Sequence, residues 1–89
     1  MAEVLTRVVI QVGQIALDDQ KKVQAWITFA AEAQSGQGKV FSGWYGLDRA
    51  KTNAQRRADL RALAEAEVPS QFDGGAAPGG SFIVEYLGI

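Results

Sequence analysis

Residues Leu47–Val68 read LDRAKTNAQRRADLRALAEAEV, the one long stretch with helical periodicity in the 89-residue chain. Thr52-Asn53-Ala54-Gln55 fits a capping box: Thr52 accepts from the Gln55 backbone N–H while the Gln55 side chain reaches back to Thr52. Asp48 is a competing N-cap for an earlier start. Alanines at 50, 54, 58, 62 and 66 recur every four residues, a ridge suited to helix formation and close packing. With Leu60 and Leu63 on the adjacent arc, the expected buried surface runs from the later alanines across to the leucines. Arg57, Arg61 and Glu65 then form an outward row, and Arg56 falls near the border of the leucine side, where its stem can lie over apolar surface. Pro69 ends the helix near Val68, because it disfavours helical geometry in the residue before it.

The segments before this helix have strand character. Val4–Leu17 alternates with Val8, Ile10 and Val12 on one side, and its apolar positions change parity after Gly13 to Ile15 and Leu17. A bulge or bend at Gly13 keeps both halves apolar-inward. Asp18-Asp19-Gln20-Lys21 is a polar turn. In Val23–Ala33, Val23, Ala25, Ile27, Phe29 and Ala31 share one face, while Gln24, Trp26, Thr28 and Ala30 share the other. This pattern suits a half-buried strand antiparallel to the first. QSGQG at residues 34–38 is a hairpin loop rather than a phosphate loop, since the signature's first glycine and its Ser/Thr after the lysine are missing. Lys39–Gly46 is a third strand, with Val40, Ser42 and Trp44 alternating against Phe41, Gly43 and Tyr45.

After the helix, Ser70–Gly80 has a linker's composition, anchored by Phe72 at the core edge. Ser81–Ile89 alternates as a closing strand. The expected fold is a single α+β domain spanning residues 1–89, in the order β-β-β-α-β, with one helix packed on a small, curved, antiparallel, partly open sheet.

Composition limits the function classes. The chain has no cysteine, no histidine and a formal net charge of −1. Disulfides, thiolate chemistry, the common structural zinc sites and a histidine base are therefore excluded. The carboxylate pairs Asp18-Asp19 and Glu65/Glu67 read as a turn and a helix end, without metal-loop spacing. The sequence thus points to a protein that is not an enzyme and uses no cofactor or metal. Absence of cysteine, of a signal peptide and of an apolar run of about 18 residues points to the cytoplasm and away from the membrane.

Strand, strand, strand, helix, strand is also how the first four strands of an OB-fold are ordered. Through Gly38-Lys39-Val40-Phe41 with Trp44, followed by a helix carrying Leu60 and Leu63, the middle half of the chain resembles small phage OB-type proteins. These are associated with single-stranded DNA binding or recombination. The resemblance implies a barrel that is open, or completed by a second chain, because the fifth OB strand is missing.

Two functions follow as expectations. The first is a protein-binding module, such as a phage-encoded inhibitor or adaptor acting by occlusion. Its partner is a host protein or a second copy of the chain, taken up along an exposed sheet edge. The alternative is single-stranded nucleic-acid binding, which combines aromatic platforms with a basic groove. Its candidate residues are Trp26, Phe41, Trp44 and Tyr45 for stacking, with Lys39, Arg49, Lys51, Arg56, Arg57 and Arg61 for phosphates. The positions of Trp26 and Trp44 relative to the arginines discriminate the two.

Overall fold

A computed structural model describes residues 2–17, 22–48 and 50–89. The turn expected at residues 18–21 and the candidate Arg49 lie outside the described residues. In chain order the elements are β1 (Glu3–Leu17), β2 (Val23–Ala33), β3 (Gly38–Gly46), α1 (Asn53–Glu67), a 3-10 turn (Val68–Gln71) and β4 (Ala76–Leu87). The fold is α+β: one helix lies on a mixed sheet curled into a half-barrel. The sheet order is β3-β2-β1-β4, so β3 and β4 form opposite, unjoined edges.

The sheet is not wholly antiparallel as expected. β1–β2 and β2–β3 are antiparallel, but β4 runs parallel to β1. The helix is the reason. A strand that feeds a helical crossover comes back running in its original direction, and β3 already runs parallel to β1. The linker-like residues 76–78 also belong to the sheet, where they pair with residues 3–5. Pro78 is tolerated because β4 is an edge strand. Between the pairs Leu5↔Pro78 and Arg7↔Ile83 the register slips by three residues, which divides β4 into two pieces around residues 79–82.

One face of the sheet carries the core. Leu5, Val8 and Ile10 of β1 and Ala25, Ile27, Phe29, Ala31 and Ala33 of β2 are buried there, closed over by Leu60, Ala64, Val68 and Phe72. The β1 register breaks between Val12↔Ile27 and Ile15↔Ala25, so Gly13 and Gln14 together oppose Trp26. This is the expected bulge, and it returns Ile15 and Leu17 to the helix side. A side chain at Gly13 would crowd the Trp26 carbonyl oxygen, its Cβ falling 3.3 Å away.

The capping box is present in full. The Gln55 N–H donates to Thr52 Oγ1 at 3.2 Å, and the Thr52 N–H donates to Gln55 Oε1 at 2.9 Å. The buried stripe of α1 differs from the expected one. Leu60, Ala64 and the following Val68 are buried, Arg56, Leu63 and Glu67 are half-buried, and Ala54, Ala58, Ala62 and Ala66 face solvent. A methyl group gains far less from burial than a leucine side chain, so the bulky residues, not the alanine ridge, orient the helix.

Candidate functional site

The fold divides the expected site residues among three places. Phe41 and Tyr45 point to the helix side and join the core. Phe29 stacks on Phe41 with centroids 5.0 Å apart and meets Tyr45 edge-on at 5.7 Å. Desolvation, with a smaller contribution from Glu67, raises the Tyr45 phenol pKa above its ordinary 10.0. These rings are structural, so neither is a free stacking platform.

Trp26 and Trp44 lie on the other side of the sheet. They are paired in the β2–β3 register and meet edge-to-face at 5.4 Å, with 39% and 44% of their surface exposed. The strand register extends this outer face into rows. Ser42, Thr28, Gln11 and Leu87 form one, with Thr28 and Ser42 hydroxyls hydrogen-bonded at 2.9 Å. Val40, Ala30, Val9 and Glu85 form the next. Val40 is 71% exposed, and Leu87 and Ile83 are also exposed. Among the described residues no helix covers these rows, since α1 packs on the opposite side. Among the described residues of this face the charged groups are Glu32 and the ion pair of Arg7 with Glu85 at 2.8 Å. Glu85 raises the Arg7 pKa mainly through its hydrogen bond.

The basic candidates of the helix region sit away from the tryptophans and have local partners. Lys51 binds Asp59 at 2.6 Å, which raises its pKa chiefly through that hydrogen bond. Arg56 donates to the Asp48 carbonyl and to Asn53 Oδ1. Arg57 donates twice to the Ile89 oxygen, at 3.3 and 2.9 Å. Arg61 pairs with Glu65 at 3.2 Å and lies 5.8 Å from the centroid of the Phe82 ring. Arg57, Arg61 and Glu65 are exposed, as the expected outward row requires, and within that row Arg57 and Arg61 reach toward the β4 side. Lys39 is exposed on the β3 edge.

A second apolar surface was not anticipated. Fifteen helical residues span about 22 Å, whereas the molecule is 43 Å long. Among the described residues the far end of the helix-side face is not covered by the helix and holds a cleft of about 660 Å³ lined by Ile15, Ala16, Leu17, Val23, Leu47 and Arg56. Ile15 and Leu17 are 60% and 62% exposed. The signal was present in the sequence as a mismatch in length between a 15-residue strand and a helix with less than half its reach.

Among the described residues no group of three or more His, Cys, Asp or Glu is placed to hold a metal ion, and no helix is long and apolar enough to cross a membrane. No protein-family model, curated protein or solved structure matches the chain.

Proposed function

We propose that the chain is a non-enzymatic protein-binding module that docks a partner on the outer face of its sheet and acts by occlusion. The observation that carries this reading is the uncovered Trp26–Trp44 pair, separated from the basic side chains of the helix region. Exposed tryptophans are enriched among the residues that dominate interaction hot spots. Exposed area of this kind gains free energy on being covered, and no element of the described chain covers it.

The alternative is single-stranded nucleic-acid binding, favoured by the resemblance to phage OB-type proteins and by the exposure of two tryptophans. Such a site needs cations beside its stacking platforms. Here Lys51, Arg57 and Arg61 are bonded elsewhere, and the one arginine on the described tryptophan face, Arg7, is paired with Glu85.

A labelled single-stranded oligonucleotide titrated over a salt series separates the readings. The expected result is no saturable binding at any salt. In parallel, proteins retained from host lysate by the wild type are expected to be lost with Trp26→Ala/Trp44→Ala and kept with Arg57→Ala/Arg61→Ala. Oligonucleotide affinity that falls with salt, as counterion release requires, would overturn the proposal in favour of the alternative.

A further inference from the structure

The two edges of the sheet are built differently. β4 is protected against strand addition by Pro78, by Gly79 and Gly80, and by its register break. A side chain at Gly79 would meet Val4 and the Leu5 carbonyl, at 2.8 and 3.2 Å, so the strand is also pressed close to its neighbour there. β3 has no register break, and its glycines stand singly at 38, 43 and 46. Its nine residues pair with β2 without a register shift, from Gln24↔Gly46 to Glu32↔Gly38. It contains no proline, and its one charged residue, Lys39, sits near an end. A long, regular edge of this kind is a template for another strand.

The sequence of β3 identifies the strand that fits. Folded back on itself about Ser42, GKVFSGWYG pairs Val40 with Trp44, Phe41 with Gly43 and Lys39 with Tyr45 of the second copy. Val40 with Trp44 is a β-branched–aromatic pair on the outer face, of the type that stabilises antiparallel strands. Phe41 faces Gly43 on the side where the Tyr45 ring lies over Gly43, 3.3 Å from where a Cβ would stand, so Phe41 of the second copy would meet that ring. The half-buried Phe41 and Tyr45 and the exposed Val40 and Trp44 would all lose solvent contact together. Like charges stay apart, because the two Lys39 residues fall ~20 Å from each other at ~3.4 Å per residue.

We propose that β3 pairs antiparallel with β3 of a second copy, centred on Ser42, to give a two-fold dimer with a continuous eight-stranded sheet. The inference deepens, and rests on, the reading of this sheet as a protein-binding surface: it joins two Trp26–Trp44 faces into one symmetric patch.

The cysteine-free chain makes the register directly testable. In an antiparallel pair centred on Ser42, the two Ser42 Cα atoms lie roughly 4.5–5.5 Å apart, within disulfide reach. Purified Ser42→Cys is expected to oxidise to a covalent dimer at micromolar concentration, whereas Lys39→Cys stays monomeric on denaturing gels. Sedimentation of the cysteine-free protein should show a dimer, weakened about tenfold or more by Val40→Lys, which removes both Val40–Trp44 pairs and adds charge to the edge. Circular dichroism verifies that each variant is folded. A wild type that remains monomeric, or equal crosslinking of both cysteine variants, overturns the dimer. If partner capture still depends on Trp26 and Trp44 in that case, the inference alone fails and the proposed function stands.

Discussion

On the helix side of the sheet Phe29 is fully buried between Phe41 and Tyr45, while one pleat away Trp26 and Trp44 touch each other and the solvent. Both clusters are cross-strand aromatic groups on the same two strands, and they differ only in parity. Parity decides whether an aromatic ring contributes to stability or stays available for association. Rings on the covered face have their apolar area removed from water by Leu60, Ala64 and their neighbours. Those on the outer face keep a large part of that gain unrealised.

The sharpest way to break this comparison is to truncate one ring on each face. Phe29→Ala leaves a cavity at a fully buried position and is expected to cost about 3–5 kcal/mol, enough to unfold a marginally stable domain of this size. Trp44→Ala removes a larger side chain. Its cost should stay near the worth of one aromatic pair and partial burial, about 1–2 kcal/mol. Urea unfolding followed by circular dichroism measures both. Equal costs would mean that the outer face is as structural as the inner one, and would weaken its reading as a docking surface.

Much of this division was legible in the sequence. The alternation Ala25, Ile27, Phe29, Ala31 marked the covered face of β2, and Trp26 fell on the polar side where the structure exposes it. The parity change at Gly13 located the bulge, and Thr52 with Gln55 located the helix start. What was not legible depends on contacts between distant segments. Residues 76–78 look like part of a linker because alanine and proline have weak strand preference, and they join the sheet through pairing with residues 3–5. The alanine spacing of α1 suggested a buried ridge, but the larger side chains of Leu60, Leu63 and Val68 outweighed it. Grouping Phe41 and Tyr45 with Trp44 as one candidate site failed for a local reason. Alternate residues of a strand point to opposite faces, so β3 divides its aromatic residues between core and surface.

The covered face exists only while α1 stays docked, so weakening the helix tests how the cover is held. Thr52→Ala removes the hydroxyl that accepts the Gln55 N–H, and with it one half of the capping box. The expected loss is about 1 kcal/mol, typical of an N-cap. A chemical-denaturation midpoint shift without a change in slope is the signature of lost stability alone. Amide exchange should accelerate in the first turn of α1 and in the core strands, while Trp fluorescence from the outer face stays nearly constant, since neither tryptophan contacts the helix side.

The smallest expected effect concerns pH, and Tyr45 is the group that reports it. Its phenol lies against Phe29 on the covered face, where desolvation favours the neutral form and raises its pKa above the ordinary 10.0. The folded state therefore holds this proton more tightly than the unfolded chain does. Linkage gives the sign: the contribution is fully present below pH 10 and is lost as pH rises through the folded-state value. Stability measured against pH should show no Tyr45-dependent change around neutrality and should begin to decline above about pH 10. Tyr45→Phe keeps the ring against Phe29, removes the ionising group, and should flatten that part of the alkaline decline. If the variant and the wild type fall in parallel, Tyr45 titrates as a solvent-exposed phenol, and the edge of the covered face at β3 is more open than its packing against Phe29 implies.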